Sequence, residues 1–320
     1  MDSHLDEWLK PRRILITGAS GPLGTRLRQR LRGRVAELQL LSRTPPAAAQ
    51  PGESWWPGDL LNAESLRGIG AEIDTLLHLA SYSPAPADPD PENHPEHLRV
   101  GNIGTTHLLT ALRNSPLQYA VLASSVRALA PAPHRTRYGE AKVQAERLLL
   151  THAQERQLHA AALYFPACYG EPGVGSLAAM AAAIQRGYFP PIPEFNNPRS
   201  LLHLEDAVTA LLYAASHPAA AGQGWIVTDG HPRTPHQLYR LMLAANGRNP
   251  PRWQLPPALL QLLANLGTLG ERLLHRPLPF NQKRLAQLRD SYHFDSTPFT
   301  HATGFSPAYC VEKEILGSRF

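Results

Sequence analysis

Cysteine is almost missing from this 320-residue chain: Cys168 and Cys310 stand alone and far apart. Two such residues build neither a disulfide framework nor a thiolate metal site, and they suit a reducing compartment, so a cytoplasmic protein is expected. Lysine is scarce too, with four residues (Lys10, Lys142, Lys283, Lys313) among 31 basic ones. The basic residues read as scattered, with no run of Lys or Arg interleaved with aromatics. That argues against nucleic-acid binding despite a formal charge of +5. Attraction of an anionic small molecule is the more natural use of the charge. No apolar run reaches the length of a bilayer span, and the opening MDSHLDEWLKPRR carries acids and lacks an apolar core. Neither an integral membrane segment nor a secretory signal is expected. Internal repeats are also absent. What remains is an ordinary globular composition, 43% hydrophobic and 18% charged, in a chain long enough for one large core plus a smaller lobe.

Short apolar, β-branched runs at 12–20, 37–43, 73–81, 119–125 and 159–165 read as strands. Leucines at helical spacing in 25–34, and the segments 97–112 and 138–154, read as helices between them. The alternation predicts an α/β fold, a doubly wound parallel sheet of Rossmann type over 1–166. Its ligands then sit along the rim of carboxyl strand ends. Beyond 166 the rhythm breaks into proline-rich stretches, and only GWIVTDG (224–230) reads as a strand. The expected division is therefore 1–166 with 201–230 returning to the sheet, and a smaller, mainly helical C-terminal substrate lobe from 167–200 and 231–320. Within the lobe, 256–275 is apolar but interrupted by Asn265, Glu271 and Arg272. It reads as a helix buried on one face, with a surface resting on lipid as the rival.

Gly18, Ala19, Ser20, Gly21, Pro22, Leu23 and Gly24 follow the first strand and open the first helix, the context a dinucleotide-binding loop requires. Gly18 permits the tight turn, Gly21 lets backbone approach a pyrophosphate, and Gly24 allows close helix–strand packing. The helix end then holds the phosphates. The second strand ends Leu41, Ser42, Arg43, with no acid to accept from a free ribose 2′-hydroxyl. Arg43 suits a 2′-phosphate, unless it is simply solvated, so NADP is expected over NAD. Asp59 in GDL and the strand end Leu79, Ala80, Ser81 would flank adenine and ribose.

The stretch YGEAK sets Tyr138 and Lys142 one helical turn apart. By spacing alone they are either an active site or two solvated residues on one face. A tyrosine has a reference pKa of about 10, too high for a good base near neutrality; a lysine on the same face favours the phenolate. The glycine pattern, GDL, HLAS, Asn102 in NIGT, SS at 124–125 and YGEAK occur in an order that resembles the extended short-chain dehydrogenase/reductase family, the NAD(P)-dependent epimerase/dehydratase superfamily. LYFPACYG (163–170), NPRSLLHLED (197–206), VTDGHPRTPHQLYRLM (227–242) and ATGFSP (302–307) extend the resemblance over nearly the whole chain.

The resemblance implies catalytic Ser125, Tyr138 and Lys142, with Ser124 the neighbour next in line for the serine role. Lys142 also holds the nicotinamide ribose, and Ser125 and Tyr138 meet the substrate. It adds Leu60, Asn102 and Pro166 to the cofactor contacts. Arg199 matches a residue that grips the diphosphate of a nucleotide sugar, and Arg284 in NQKRL is read as a second phosphate ligand. His203 and Asp206 are expected to be structural. A homodimer through helices 97–112 and 138–154 is expected.

Departures narrow the activity. Dehydratases carry Asp-Glu where this chain has Val126 and Arg127; Tyr164 replaces an arginine, and Ala167 an asparagine of some epimerases. The reading is an NADP-dependent 4-ketoreductase or 4-epimerase of a sugar nucleotide or lipid-linked sugar. A 3β-hydroxysteroid-type dehydrogenase and a non-catalytic NADP-binding regulator are the alternatives.

Overall fold

The computed structural model describes residues 3–45, 51–85, 88, 90–171, 175–187, 189–191, 193–251, 255–274, 278 and 280–317, less the side chains at 3, 176, 272, 283, 284, 287 and 317. Its strands are β1 (Arg13–Thr17), β2 (Glu37–Ser42), β3 (Glu53–Pro57), β4 (Thr75–His78), β5 (Tyr119–Ser125), β6 (His159–Phe165), β7 (Ala167–Tyr169), β8 (Leu201–His203) and β9 (Gln223–Ile226). Two compact units emerge: 1–166, 204–227 and 296–306 form the first, and 167–203, 228–295 and 307–320 the second.

The first unit holds a seven-stranded sheet in the order β3-β2-β1-β4-β5-β6-β9, with every neighbouring pair parallel. A parallel sheet covered on both faces needs strands apolar on both sides, and β1, β4 and β5 meet that need, being buried almost throughout. Leu15, Leu76, Leu122 and Ala160 from the sheet meet Leu108, Leu112 and Leu149 from the helices in one core. Each buried leucine contributes roughly 1.5–3 kcal/mol. The order reverses between β1 and β4, the switch point where such sheets bind ligands.

The arginine-rich helix that follows β1, Pro22–Leu31, spends its cations on the fold. Arg28 forks onto Glu53 of β3 at 2.8 and 2.5 Å, and Arg26 and Arg30 both pair with Glu205 at 3.0 and 2.7 Å. The segment expected as one helix at 97–112 is Glu96–Leu98, a π-helical Arg99–Gly104 and Thr105–Ala111. β3 escapes the pattern reading because, as an edge strand ending in proline, it is half-exposed on both faces. Residues 296–306 belong to the first unit because Phe299 and Phe305 are buried there against Trp225 and Tyr213.

The second unit has a two-stranded parallel ribbon, β7-β8, and the helices Gly175–Gln185, Pro235–Ala245, Pro257–Leu274, Gln282–Arg289 and Val311–Gly317. Tyr169, Leu201, Leu238, Met242 and Val311 form its main core.

Candidate active site

The glycine loop leaves β1 at the switch point. Gly18 takes φ of +74°, and a Cβ there would lie 2.8 Å from the Ala80 nitrogen. A Cβ at Gly24 would overlap the Gly18 carbonyl oxygen and Ala19, so the Pro22–Leu31 helix can approach the loop only without one. Gly21 differs: it donates to the Gly18 carbonyl at 3.1 Å, and nothing lies within 3.4 Å of its absent Cβ. No side chain caps the helix, and Pro22 at its first turn has no N–H. Ser20 and Pro22 are exposed beside it, and Leu23 is half-buried. The result is a bare, positively polarised helix end with open space outside Gly21, a cradle that fits a pyrophosphate.

Behind the cradle lies a polar relay. The Ala80 N–H donates to Thr17 Oγ1 at 3.1 Å; Thr17 bonds His78 Nδ1 at 2.7 Å, and His78 Nε2 lies 3.2 Å from Thr105 Oγ1. The neutral ring is bonded at both nitrogens, donating at one and accepting at the other, with a threonine hydroxyl on each side. Burial, helped by the charge of Lys142, pushes the His78 pKa down to about 3, so the ring is neutral. The strand-end residues Leu79 and Ala80 are half-buried here and Ser81 is exposed.

At the ribose end, Arg43 is exposed just past β2 and makes no ion pair among the described residues. Ser42 turns its hydroxyl to the Thr44 carbonyl at 2.6 Å. Asp59 accepts from the Leu61 N–H at 2.9 Å, and Leu60 is buried with its carbonyl taking a bond from His107. The Asp59 carboxylate therefore shapes its own turn.

The helix Arg137–Arg156 starts at Thr136, whose hydroxyl accepts from the Gly139 N–H. Gly139 lets it close on the turn after β5: a Cβ there would lie 2.5 Å from the Arg127 carbonyl. Lys142 is buried and donates from Nζ to the Ala123 carbonyl at 2.8 Å, which ties the helix to the end of β5. Burial lowers its pKa to about 8. Its Nζ lies 5.8 Å from the Tyr138 ring centroid. Ser125 ends β5, buried, and accepts from the Arg127 N–H at 3.2 Å. Ser124 is buried too, with no hydrogen-bond partner for its hydroxyl among the described residues.

Sequence reading missed His97. Its buried ring lies edge-on to Tyr138 at 5.2 Å, and Nε2 is fixed by the Pro91 carbonyl at 2.7 Å. Tyr82 packs on His97 in turn, and burial lowers the His97 pKa. The one available signal was HPEH (94–97), two histidines ahead of a helix start. Asn102 sits in the π-helical turn with its side chain exposed, while its neighbour Gly101 lets the turn press on Ala141 of the Tyr-Lys helix. Tyr164, in place of the arginine, donates a 2.5 Å bond to Glu146, with Gly224 making room for its ring. That tyrosine is used within the first unit. Pro166 is half-buried where β6 ends.

In the second unit, Arg199 is half-buried. It donates from Nη2 to the Leu288 carbonyl at 3.2 Å and lies over the Tyr292 ring at 5.9 Å. The side chain of Arg284 lies outside the described residues. His203 is buried, stacked on Tyr309 at 4.1 Å and edge-on to Tyr169.

The NAD dependent epimerase/dehydratase family matches residues 14–228. The chain belongs to that family. A UDP-glucose 4-epimerase of Vibrio cholerae is 24% identical over 77% of this chain and 79% of its own length. A 3-beta-hydroxysteroid dehydrogenase of Mycolicibacterium neoaurum is 25% identical over 75% and 71%. The enzyme WbmF of Bordetella bronchiseptica, solved in complex with NAD+ and UDP, superposes with a TM-score of 0.73 at 15% identity. That match covers 98% of this chain and 92% of WbmF. The seven-stranded order is thus that of a family whose similar members include both sugar-nucleotide and steroid enzymes.

Proposed function

We propose that the chain is an NAD(P)-dependent 4-ketoreductase or 4-epimerase of a sugar nucleotide or lipid-linked sugar. The observation that carries this reading is Lys142, buried with its ammonium on the Ala123 carbonyl, one helical turn from Tyr138 and beside the serine that ends β5. The family name and the bare helix end at Gly21 both support a dinucleotide, held by Gly18 to Gly24, Asp59, Leu60, Leu79 to Ser81 and Pro166. Once bound, it supplies the hydride acceptor or donor. Ser125 orients the substrate oxygen, Tyr138 takes or returns the proton there, and Lys142 favours the phenolate and binds the ribose. With a pKa of about 8, Lys142 keeps its charge as the major form at neutral pH. Arg43 supports NADP over NAD.

The second unit is the substrate lobe in this reading, with Arg199 and Arg284 on the diphosphate. The Leu288 carbonyl already engages Arg199, and that observation favours a second reading, a 3β-hydroxysteroid-type dehydrogenase. A non-catalytic regulator has no use for a buried lysine behind a tyrosine. Two separate cysteines suit the cytoplasm, and pairing of helices from the 97–112 and 138–154 segments would make a homodimer. The deciding experiment is turnover of UDP-, dTDP- and GDP-sugars, a prenyl-diphosphate sugar and a 3β-hydroxysteroid with NADP(H), read by nicotinamide absorbance and by chromatography for epimers. Turnover of the steroid alone rejects the sugar reading.

A further inference from the structure

The helix Pro257–Leu274 has two apolar faces. One is used: Leu260 and Ala264 are buried against Leu285, Gly267 lets the Phe280 and Asn281 backbone lie close, and Gly270 makes room for the Leu278 side chain. The other is bare. Leu259, Leu262, Leu263, Leu266, Leu269 and Leu273 recur at helical spacing on one side and are between 39% and 71% exposed. A row of six open leucines far exceeds the scattered apolar residues of an ordinary surface.

Charge says what covers it. Counted from the sequence, 248–289 holds seven cations (Arg248, Arg252, Arg272, Arg276, Lys283, Arg284, Arg289) and one carboxylate, Glu271. That segment carries +6 in a chain of net +5, so all other residues together carry −1. Arg26, Arg28 and Arg30 are matched by Glu53 and Glu205, whereas this segment holds a single acid of its own. Glu271 is turned to its own loop, accepting from Leu278 N–H and Asn281 Nδ2, both at 2.8 Å. A leucine face in a cationic segment is complementary to an anionic lipid surface, which offers acyl chains below and phosphates above. Among the described residues no helix is long and apolar enough to cross a membrane.

We infer that the Pro257–Leu274 helix docks the protein flat on anionic phospholipid membranes through its exposed leucine face. The leucines enter the acyl boundary, and the positive charge of the 248–289 segment favours an anionic surface over a neutral one. The inference stands whichever substrate the site takes.

The test is flotation of the full chain with vesicles of phosphatidylcholine alone or with about one-third phosphatidylglycerol, at low and high salt. The wild type floats with the anionic vesicles, and high salt weakens its binding. Leu266→Glu/Leu273→Glu lowers the partition coefficient more than tenfold. Both side chains are more than half exposed, at 55% and 71%, so melting temperature and elution volume stay close to those of the wild type. Failure of the wild type to float, or flotation undiminished in the variant, overturns the inference. A variant that loses vesicle binding only by changing its oligomeric state assigns the face to a second copy and overturns it equally.

Discussion

In the first unit Lys142 is held by a strand carbonyl at the end of β5, in the sheet whose β1 leads into a loop that requires glycine at Gly18 and Gly24. In the second unit Arg199 reaches the Leu288 carbonyl at the end of the Gln282–Arg289 helix and bridges by backbone to Arg233 and Tyr292. Both are cations hydrogen-bonded to backbone, yet their settings differ. Lys142 projects from a twenty-residue helix onto a parallel sheet, where position follows from regular geometry. Arg199 joins irregular segments, so its bonds also hold those segments together. A substitution at Arg199 should therefore loosen its surroundings as well as alter the site.

The largest effect tests the first half of that contrast. Tyr138→Phe keeps the ring against His97 and deletes the proton-transfer oxygen. Turnover should fall about 10²–10⁴-fold with cofactor affinity and melting temperature nearly unchanged. Activity within threefold of wild type removes Tyr138 from the chemistry. The other half is tested at Arg199. A UDP-sugar at a hundred times its Kd should stabilise the wild type by about 2.7 kcal/mol beyond NADP, seen as a rise in Tm. Arg199→Ala should cancel that increment while sparing the NADP shift, and should also lower the Tm of the free protein, because the Leu288 carbonyl keeps only the Asn197 amide of its two donors. A steroid that protects wild type and variant alike reverses the substrate assignment.

The same contrast explains what was legible in sequence. β5 spans Tyr119–Ser125 as read, and β6 spans His159–Phe165, because a buried parallel strand is a continuous apolar run. The glycine loop was legible because backbone geometry there admits no side chain. β3 was not, since one neighbour and two half-exposed faces impose no pattern. β7 and β8, three residues each, are too short to carry a period. His97 was missed for a different reason. It reaches Tyr138 from another element across forty residues of chain, and spacing cannot report a contact made only by folding. The 256–275 segment reads as a helix buried on one face, with lipid as the rival, because periodicity marks an apolar side without saying what lies on it.

Arg43 offers a smaller effect and a sharper question, since it follows directly on β2 yet makes no ion pair among the described residues. NADPH should bind about ten- to a hundredfold more tightly than NADH, the value of a charge-assisted contact of roughly 1.5–3 kcal/mol, and Arg43→Ala should erase most of the difference. Fluorescence titration giving equal affinities in the wild type leaves Arg43 as a solvated side chain.

Acid should separate the two units in opposite directions. His78 in the first is neutral with a pKa near 3, against an unfolded value of 6.5. Between those values the unfolded chain holds a proton that the folded chain does not. Stability from this group therefore falls as pH falls, by about 1.4 kcal/mol per pH unit. Asp229 in the second unit is the reverse case. Burial raises its pKa to about 6, and its Oδ2 has no hydrogen-bond partner among the described residues. Between 3.8 and about 6 the folded chain holds the extra proton, so acid stabilises through Asp229. Urea unfolding at pH 6.5 and 4.5 isolates each term by comparison with a variant that lacks it. The gap between wild type and His78→Gln should narrow by about 2–3 kcal/mol on acidification, because only the wild type loses the histidine's contribution. The gap to Asp229→Asn should move the other way and by less, since the variant forgoes the gain. A His78→Gln gap that stays constant with pH would mean that the imidazole titrates in the folded state as it does in water. The relay behind the glycine cradle would then be open to solvent, and its rigidity could not be what positions the loop.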